Sequence, residues 1–337
     1  MQIIHLRKMV TIALLLALFV VMLGAYTRLT DAGLGCPDWP GCYGHLVLPS
    51  DNSTLASAQN KFPEIPIERV KAWTEMAHRY VAGTLGLLIA IIFVASLMVY
   101  RSSIRYLVVP SLLVALVIFQ ATLGMWTVTL KLLPIVVMGH LLGGILIFVT
   151  LCYYRLKLGD NRPPLYASPK WRFWMILGII ITFMQIALGG WVSSNYAGIA
   201  CIGFPRCNGN WLPDLYFLKA FNVLSPLGAN YQGGLLDSDI RATIQFTHRL
   251  GALITALYVF VLSLVVLIRM NDNRVRTAAI VVITILSLQF VLGVVNVIFL
   301  LPLWSAVVHN GCAALLLAAM VTMLYLLRGD VYDASHQ

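Results

Sequence analysis

The sequence has 337 residues, of which 60% are apolar and only 11% are charged. Soluble globular domains carry charge on roughly a quarter of their residues, so this composition excludes an ordinary soluble domain. It also excludes intrinsic disorder, which needs low hydrophobicity and high charge. The net charge of +10 comes from basic residues in short clusters between apolar runs, a pattern that indicates membrane orientation. We therefore expect a membrane protein with no nucleic-acid partner.

Charge-free apolar runs define the fold class, since a transmembrane helix needs about 20 such residues. The final run, 277–327, is too long for one helix, and it contains Pro302, which favours a helix start. We divide the run there. The sequence thus predicts an all-α integral membrane protein with eight transmembrane helices, at Met9–Thr27, Tyr80–Tyr100, Tyr106–Leu130, Leu132–Tyr154, Phe173–Val192, Leu250–Ile268 and the two parts of Thr277–Leu327.

The distribution of basic residues predicts the orientation of these helices. The three short loops that begin near Arg101, Arg155 and Arg269 are basic, and basic loops stay on the cytoplasmic side. We therefore expect both termini to be cytoplasmic and the long loops, at about 28–79 and 193–241, to face outward. The first run has the basic start of a signal peptide but no A-x-A cleavage site, so we keep it as a helix. The absence of an Arg/Ser-rich transit segment favours a bacterial inner membrane over mitochondria.

The sequence repeats itself once, at an offset of 165 to 170 residues. Because the repeat is four helices long, both units have the same orientation and form parallel repeats. We predict two pseudo-symmetric parallel four-helix bundles, an N-terminal one over residues 1–160 and a C-terminal one over 161–337. The matching features, in chain order, are Cys36 and Cys42 with Cys201 and Cys207, Glu75-x-x-His78-Arg79 with Gln245-x-x-His248-Arg249, Gln120 with Gln289, Gly124 with Gly293, and His140 with His309.

Two cysteine pairs lie in the predicted outer loops. Cys36/Cys42 and Cys201/Cys207 each enclose five residues, and an oxidising outer compartment favours a structural disulfide in each loop. A redox-active pair is one alternative. A copper or zinc site is another, because His45 follows Cys42 closely. The second pair has no nearby histidine, which weakens the metal alternative.

Four histidines follow the repeat and mark the candidate site. Ionisable side chains within spans are costly and are functional by default. One histidine from each of two helices can hold a planar cofactor from opposite faces, and haem iron accepts imidazole as an axial ligand. The predicted pairs are His78 with His140 and His248 with His309, and we expect His78 and His248 at the starts of their helices. No C-x-x-C-H motif is present, so haem would be bound noncovalently.

Other ligands explain these histidines less well. A closed zinc site needs four ligands, and no other ligand type repeats beside the histidines. A proton relay would need acidic residues within the spans, which are free of them.

One position distinguishes the two halves. Glu75 lies three residues before His78 and therefore on the same helical face, whereas the second half has Gln245 there. A carboxylate can move protons or stabilise a developing cation, so the first half is predicted to be the site of chemistry and the second a permanent cofactor site. The alternative is that Glu75 is a solvated residue near a helix end. Arg79 and Arg249 are candidates for haem propionate contacts, or they extend to the membrane interface.

Together, these motifs resemble the haem A synthase family, and the resemblance covers nearly the whole chain. It implies that the protein oxidises the C8 methyl of haem O to a formyl through an alcohol, which gives haem A for terminal oxidases. It implies that His78 and His140 are ligands of the substrate haem and that Glu75 is the catalytic carboxylate. It also implies a haem b with His248 and His309 as its axial ligands, for electron transfer.

The same resemblance extends to the cysteines and the partners. The pair Cys36/Cys42 matches the family's first-loop pair, which implies a disulfide of redox importance, and Cys201/Cys207 matches a pattern found in the family. Haem O synthase is expected to supply the substrate, and an unidentified electron donor or acceptor such as quinone to take part. Membrane lipid surrounds the protein, copper is not expected, and a homo-oligomer is left open.

Two other functions remain as alternatives. A dihaem b-type cytochrome that takes electrons from quinol would explain both histidine pairs, but it has little need for the difference between Glu75 and Gln245. A transporter would fit parallel repeats, but it explains the histidine pairs poorly. The residues leave open whether the methyl is activated by bound oxygen or by sequential electron loss with water addition.

Overall fold

The computed structural model describes residues 3–49, 51–63, 65–100, 106–159 and 169–327, and these residues form helices and loops without a β-strand. Eight of the helices are long and apolar enough to cross a membrane, which confirms an all-helical protein of eight predicted spans. Two short helices, α2 and α7, lie in the long loops. In chain order the helices are α1 Ile3–Leu29, α2 Asn52–Lys61, α3 Arg69–Val99, α4 Val108–Thr129, α5 Pro134–Gly159, α6 Pro169–Ser194, α7 Phe217–Ala220, α8 Ser238–Arg269, α9 Asn273–Ile298 and α10 Leu303–Leu326.

Two spanning helices begin much earlier than the sequence predicted. Helix α3 begins at Arg69 and α8 at Ser238, because helical structure continues past the charges that end the apolar runs. The expectation that His78 and His248 stand at the starts of their helices is therefore wrong. Both lie well inside a helix, with between two and three turns of that helix before each of them.

The long helices pack in two sets of four. In the first set α1 and α4 each pack against α3 and α5, and in the second α6 and α9 each pack against α8 and α10. Where the sets meet, α1 contacts α10, and α5 contacts both α6 and α10. The core there contains the small buried residues Ala13, Ala17, Ala314 and Ala318. Small side chains let helix backbones approach closely in a membrane, where the hydrophobic effect does not drive helix association.

Some predicted features lie outside the described residues. They are the boundary between residues 160 and 161, the inner-loop residues Arg101 and Arg105, and the C-terminal residues from 328 onward.

Candidate functional site

A large internal cavity lies between the long helices, and both sets of four contribute to its wall. Its volume of about 1240 Å³ exceeds the range of roughly 300–1,000 Å³ that is usual for a single small-molecule site. The four predicted site histidines, His78, His140, His248 and His309, all line this cavity. The structure thus brings all four to one space that is large enough for more than one bulky ligand.

The first histidine pair faces across this cavity. His78 on α3 and His140 on α5 have ring centroids 6.4 Å apart, with the ring planes at 80°. Imidazole nitrogens bind metals at about 2.0 Å, so this separation fits a single metal atom held between the two rings. The Nδ1 atoms of both rings are buried and lack a hydrogen-bond partner among the described residues. Such unsatisfied buried groups call for an explanation, and a bound ligand supplies one.

The second pair differs in its amide neighbours. Gln185 Nε2 lies 3.0 Å from His248 Nδ1, and Gln289 Nε2 lies 3.2 Å from His309 Nε2. In the first half, Gln120 donates instead to the backbone carbonyl of His140, at 2.7 Å. Partners of this kind fix the orientation of a ligating ring. Only His248 has an amide at Nδ1, because the Nδ1 of His309, like those of the first pair, is buried without a partner among the described residues. Sequence reasoning found Gln120 and Gln289 as repeat members but missed Gln185.

Glu75 is buried beside the first pair. Its side chain is only 5% exposed and lines the cavity. One carboxylate oxygen, Oε2, accepts a hydrogen bond of 2.8 Å from the backbone N–H of Cys36, and Oε1 forms an ion pair of 2.5 Å with Arg79 Nη2. The alternative that Glu75 is a solvated residue is therefore wrong. Gln245, its counterpart on α8, is equally buried, and its Oε1 lacks a partner among the described residues.

Arg79 and Arg249 attach the two cysteine loops to the helices. Arg79 Nη1 donates to three loop carbonyls, and in the second half Nη1 and Nη2 of Arg249 together donate to three. Neither of the roles weighed from the sequence included these contacts. The propionate contact stays a prediction. The acceptors are Asp38, Pro40 and Gly41 at 3.0, 3.2 and 2.5 Å for Arg79, and Gly203 at 2.8 Å, Arg206 at 3.3 Å and Cys201 for Arg249.

Both predicted disulfides, Cys36–Cys42 and Cys201–Cys207, are present. Each is followed by a tight turn in which the second cysteine pairs with the backbone three residues on, at His45 in the first loop and Asn210 in the second. A metal site on the thiolates of Cys36 and Cys42 is incompatible with this bond. His45 serves the loop through its backbone, in the way that Asn210 does in the other half.

Polar contacts within the first loop make it rigid. Asp38 accepts hydrogen bonds from the backbone N–H groups of Tyr43 and Gly44, at 2.6 and 2.8 Å. The hydroxyl of Tyr43 donates to the carbonyl of Pro66 at 3.1 Å. Burial, with a further contribution from the nearby Glu68, raises the pKa of Tyr43, so its phenol stays protonated and keeps this donor role. The loop thereby holds the N–H of Cys36 in place for Glu75.

Two further arginines line the cavity, and sequence reasoning missed both. Arg28, at the end of α1, donates to the carbonyl of Ser193, and its guanidinium lies 3.8 Å from the ring centroid of Tyr196. It thus connects the two halves. Arg241 contributes a buried Nε without a partner in the described part of the chain. The signal that could have found Arg28 is its position directly after the predicted span Met9–Thr27. Arg241 lies well before the predicted span that begins at Leu250, so no such signal marks it.

The fold and site define a multi-pass membrane protein in which two pairs of histidines from different helices line one internal cavity. The sequence matches the model of the cytochrome oxidase assembly protein family COX15-CtaA over residues 7–321. The chain belongs to this family, that of the haem A synthases. It is 42% identical to haem A synthase of Shewanella oneidensis over 329 residues, which cover 96% of this chain and 97% of the relative. It is 28% identical to haem A synthase of Caulobacter vibrioides, over 91% and 92% of the two chains.

Proposed function

We propose that this protein is an enzyme that converts haem O to haem A, by oxidising the C8 methyl through an alcohol to a formyl. One observation carries the proposal. A buried, charge-paired carboxylate, Glu75, lies one helical turn from His78, which faces His140 across the cavity. The other half has the neutral Gln245 in that place. Family membership and the names of the relatives support this activity.

The first half of the cavity would bind the substrate. His78 and His140 would bind the iron of haem O, since their rings have the spacing for one metal atom. Glu75 would stabilise positive charge that develops at the methyl carbon, or accept a proton from it. In the route that suits Glu75, water supplies the oxygen. Each oxidation step then transfers an electron pair to an acceptor such as quinone and releases two protons.

The second half fits a resident haem b. His248 and His309 would hold its iron, and the amides of Gln185 and Gln289, which lie beside ring nitrogens of these histidines, would orient their rings. Haem b supplies one-electron transfer when it is bound. Residues of both halves line the cavity wall, so both ligand pairs share one space.

We also propose the arrangement of the chain in the membrane. The two sets of helices would be pseudo-symmetric bundles over residues 1–160 and 161–337, with both termini cytoplasmic in a bacterial inner membrane. The parallel contacts of Arg79 and Arg249 with their cysteine loops support this symmetry. Reporter fusions that are active on only one side of the membrane test it. Fusions at the two outer loops should report the periplasm and a fusion after Leu327 the cytoplasm.

The activity is tested on protein purified from cells that also make haem O. Its haem is extracted and identified by chromatography and mass. We expect haem A or the alcohol intermediate together with haem b. A His248→Ala variant should lose haem b, which assigns that haem to the second half. Haem b alone, with haem O present but unchanged, would contradict the enzyme and support the dihaem electron-transfer cytochrome.

A further inference from the structure

Each of the four site histidines faces a glycine on a neighbouring helix. These glycines lie on α1, α4, α6 and α9, the long helices that carry none of the four histidines, and all four line the cavity. A Cβ atom added at any of them would lie within 3.3 Å of the Cε1 atom of the facing imidazole. The pairs are Gly24 with His78 at 3.0 Å, Gly124 with His140 at 3.2 Å, Gly189 with His248 at 3.2 Å, and Gly293 with His309 at 3.3 Å.

We propose that these four glycines are positioning residues that set the ring orientation of the haem ligands. The proposal rests on the proposed function, in which the four imidazoles bind haem iron. A Cβ at 3.0 to 3.3 Å from a ring carbon is tighter than nine in ten real Cβ contacts, so the ring must move by a few tenths of an ångström. An imidazole bound to iron has little freedom to move in this way without tilting or lengthening its bond to the metal.

The recurrence of one contacted atom distinguishes this role from general helix packing. Small residues promote close helix approach throughout membrane proteins, and such glycines meet varied neighbours. Gly139 stands next to His140, yet a Cβ there would meet only Leu123 Cδ1, at 3.9 Å. At the four site glycines the nearest atom is always the Cε1 of a histidine. The glycine contact is therefore specific to the ligand ring.

The contact matters most where hydrogen bonds are lacking. His248 has the amide of Gln185 beside its Nδ1, whereas the Nδ1 of His78 is buried without a partner among the described residues. Partners of ligating histidines usually fix the ring plane through hydrogen bonds. For His78, contact with Gly24 limits the rotation of the imidazole ring by steric means instead.

The test uses Gly189→Ala and Gly293→Ala in full-length protein, with Gly139→Ala as the matched control. Haem b per protein is measured by absorbance, and the ligand field by the g values of the oxidised haem in electron paramagnetic resonance. We expect shifted g values and haem b affinity lowered about tenfold, the lower end of the effect of changes around metal ligands. Gly139→Ala should keep both at wild-type values. Wild-type g values and affinity in Gly189→Ala and Gly293→Ala would overturn the proposal.

The other two glycines separate ring positioning from a general loss of folding. Gly24→Ala and Gly124→Ala should weaken haem O binding but leave the haem b signal intact. If they lower haem b as much as Gly189→Ala does, the glycines serve packing alone and the proposal is wrong. Failure of the proposed function gives a different result, since wild-type protein would then lack haem b or leave haem O unchanged.

Discussion

The backbone N–H of Cys36 donates a hydrogen bond of 2.8 Å to Oε2 of Glu75. Cys36 is also bonded to Cys42, so the first disulfide loop connects directly to the proposed catalytic carboxylate. Arg79 binds the same carboxylate and three carbonyls of the same loop. The position of Glu75 is therefore set by the loop as well as by its own helix. The first disulfide loop is therefore part of the site.

Replacing Glu75 by glutamine gives the first half the residue that the second half carries at Gln245. We expect Glu75→Gln to lower the rate of haem O conversion by about 10²-fold, because one positioned carboxylate contributes about that much to proton transfer. Haem b content should be unchanged. The measurement is haem A formed per protein, separated by chromatography.

The matched control is Glu68→Gln, which removes a carboxylate from the same stretch of chain. Glu68 is exposed, and its partner Lys71 lies at 2.9 Å on the surface. Its loss should leave haem A formation unchanged, since exposed ion pairs contribute little. Full haem A formation by Glu75→Gln at normal protein level would remove Glu75 from the mechanism.

Removing one partner of the ion pair between Glu75 and Arg79 should lower the free energy of unfolding. Both side chains are largely buried, and the distance between them is 2.5 Å. Removing one partner of a buried pair costs about 3 kcal/mol, because the other charge stays buried without compensation. We expect Arg79→Ala to lower the free energy of unfolding by about that amount. The double variant Arg79→Ala/Glu75→Gln should lose less than the sum of the two single changes.

The second half provides the comparison for these double variants. There Arg249 matches Arg79, but the residue that matches Glu75 is the neutral Gln245. The coupling between Arg249→Ala and Gln245→Ala should therefore be smaller than that between the changes at Glu75 and Arg79, because no ion pair joins Gln245 to Arg249. Denaturant unfolding in detergent, followed by helical circular dichroism, measures all of these variants. Additive losses for Glu75 and Arg79 would show that the pair has no coupling and would contradict the prediction.

Gly35 should tolerate no side chain, because it lies against the backbone of α3. A Cβ at this position would be 2.6 to 2.8 Å from backbone atoms of Lys71 and Ala72, which cannot move away as a flexible side chain can. We expect Gly35→Ala to displace the loop and break the hydrogen bond from Cys36 to Glu75. Haem A formation should fall while haem b is retained.

The assay is the same measurement of both haems, with Gly139→Ala as the control for adding a methyl group at an open glycine. The second half carries Ala200 at the position that matches Gly35. The restriction is therefore peculiar to the half with the carboxylate. Normal haem A formation by Gly35→Ala would show that the loop does not position Glu75.

The number of membrane spans and the set of four histidines could be predicted from the sequence. Charge-free runs locate a membrane helix well because the bilayer tolerates few charges, and the histidines repeat with their helices. The same criterion misplaced the starts of α3 and α8. The charge-free runs begin directly after Arg79 and Arg249, so the criterion sets the limits of the helices at these two charges. In the structure both helices continue past them, and the two guanidinium groups bind loop carbonyls.

Contacts between distant parts of the chain could not be predicted in this way. The burial of Glu75 depends on Cys36, which lies 39 residues away, and no local pattern reports such a pairing. The contact between Gly24 and His78 depends in the same way on how α1 packs against α3. Gly124 and Gly293 were visible as repeated residues, but their role follows only from the ring that each one faces.

The two disulfides should differ in what their removal changes. Replacing Cys201 and Cys207 by serine should lower the free energy of unfolding by about 2 kcal/mol, as loss of a structural disulfide does, and leave haem A formation near normal. Replacing Cys36 and Cys42 should cost similar stability and also reduce haem A formation, because Cys36 positions Glu75. Unfolding and haem A formation are measured on both double variants, below their melting temperatures. A first-loop variant that loses all haem A formation at unchanged stability would point to redox chemistry at Cys36 and Cys42 and contradict a structural role.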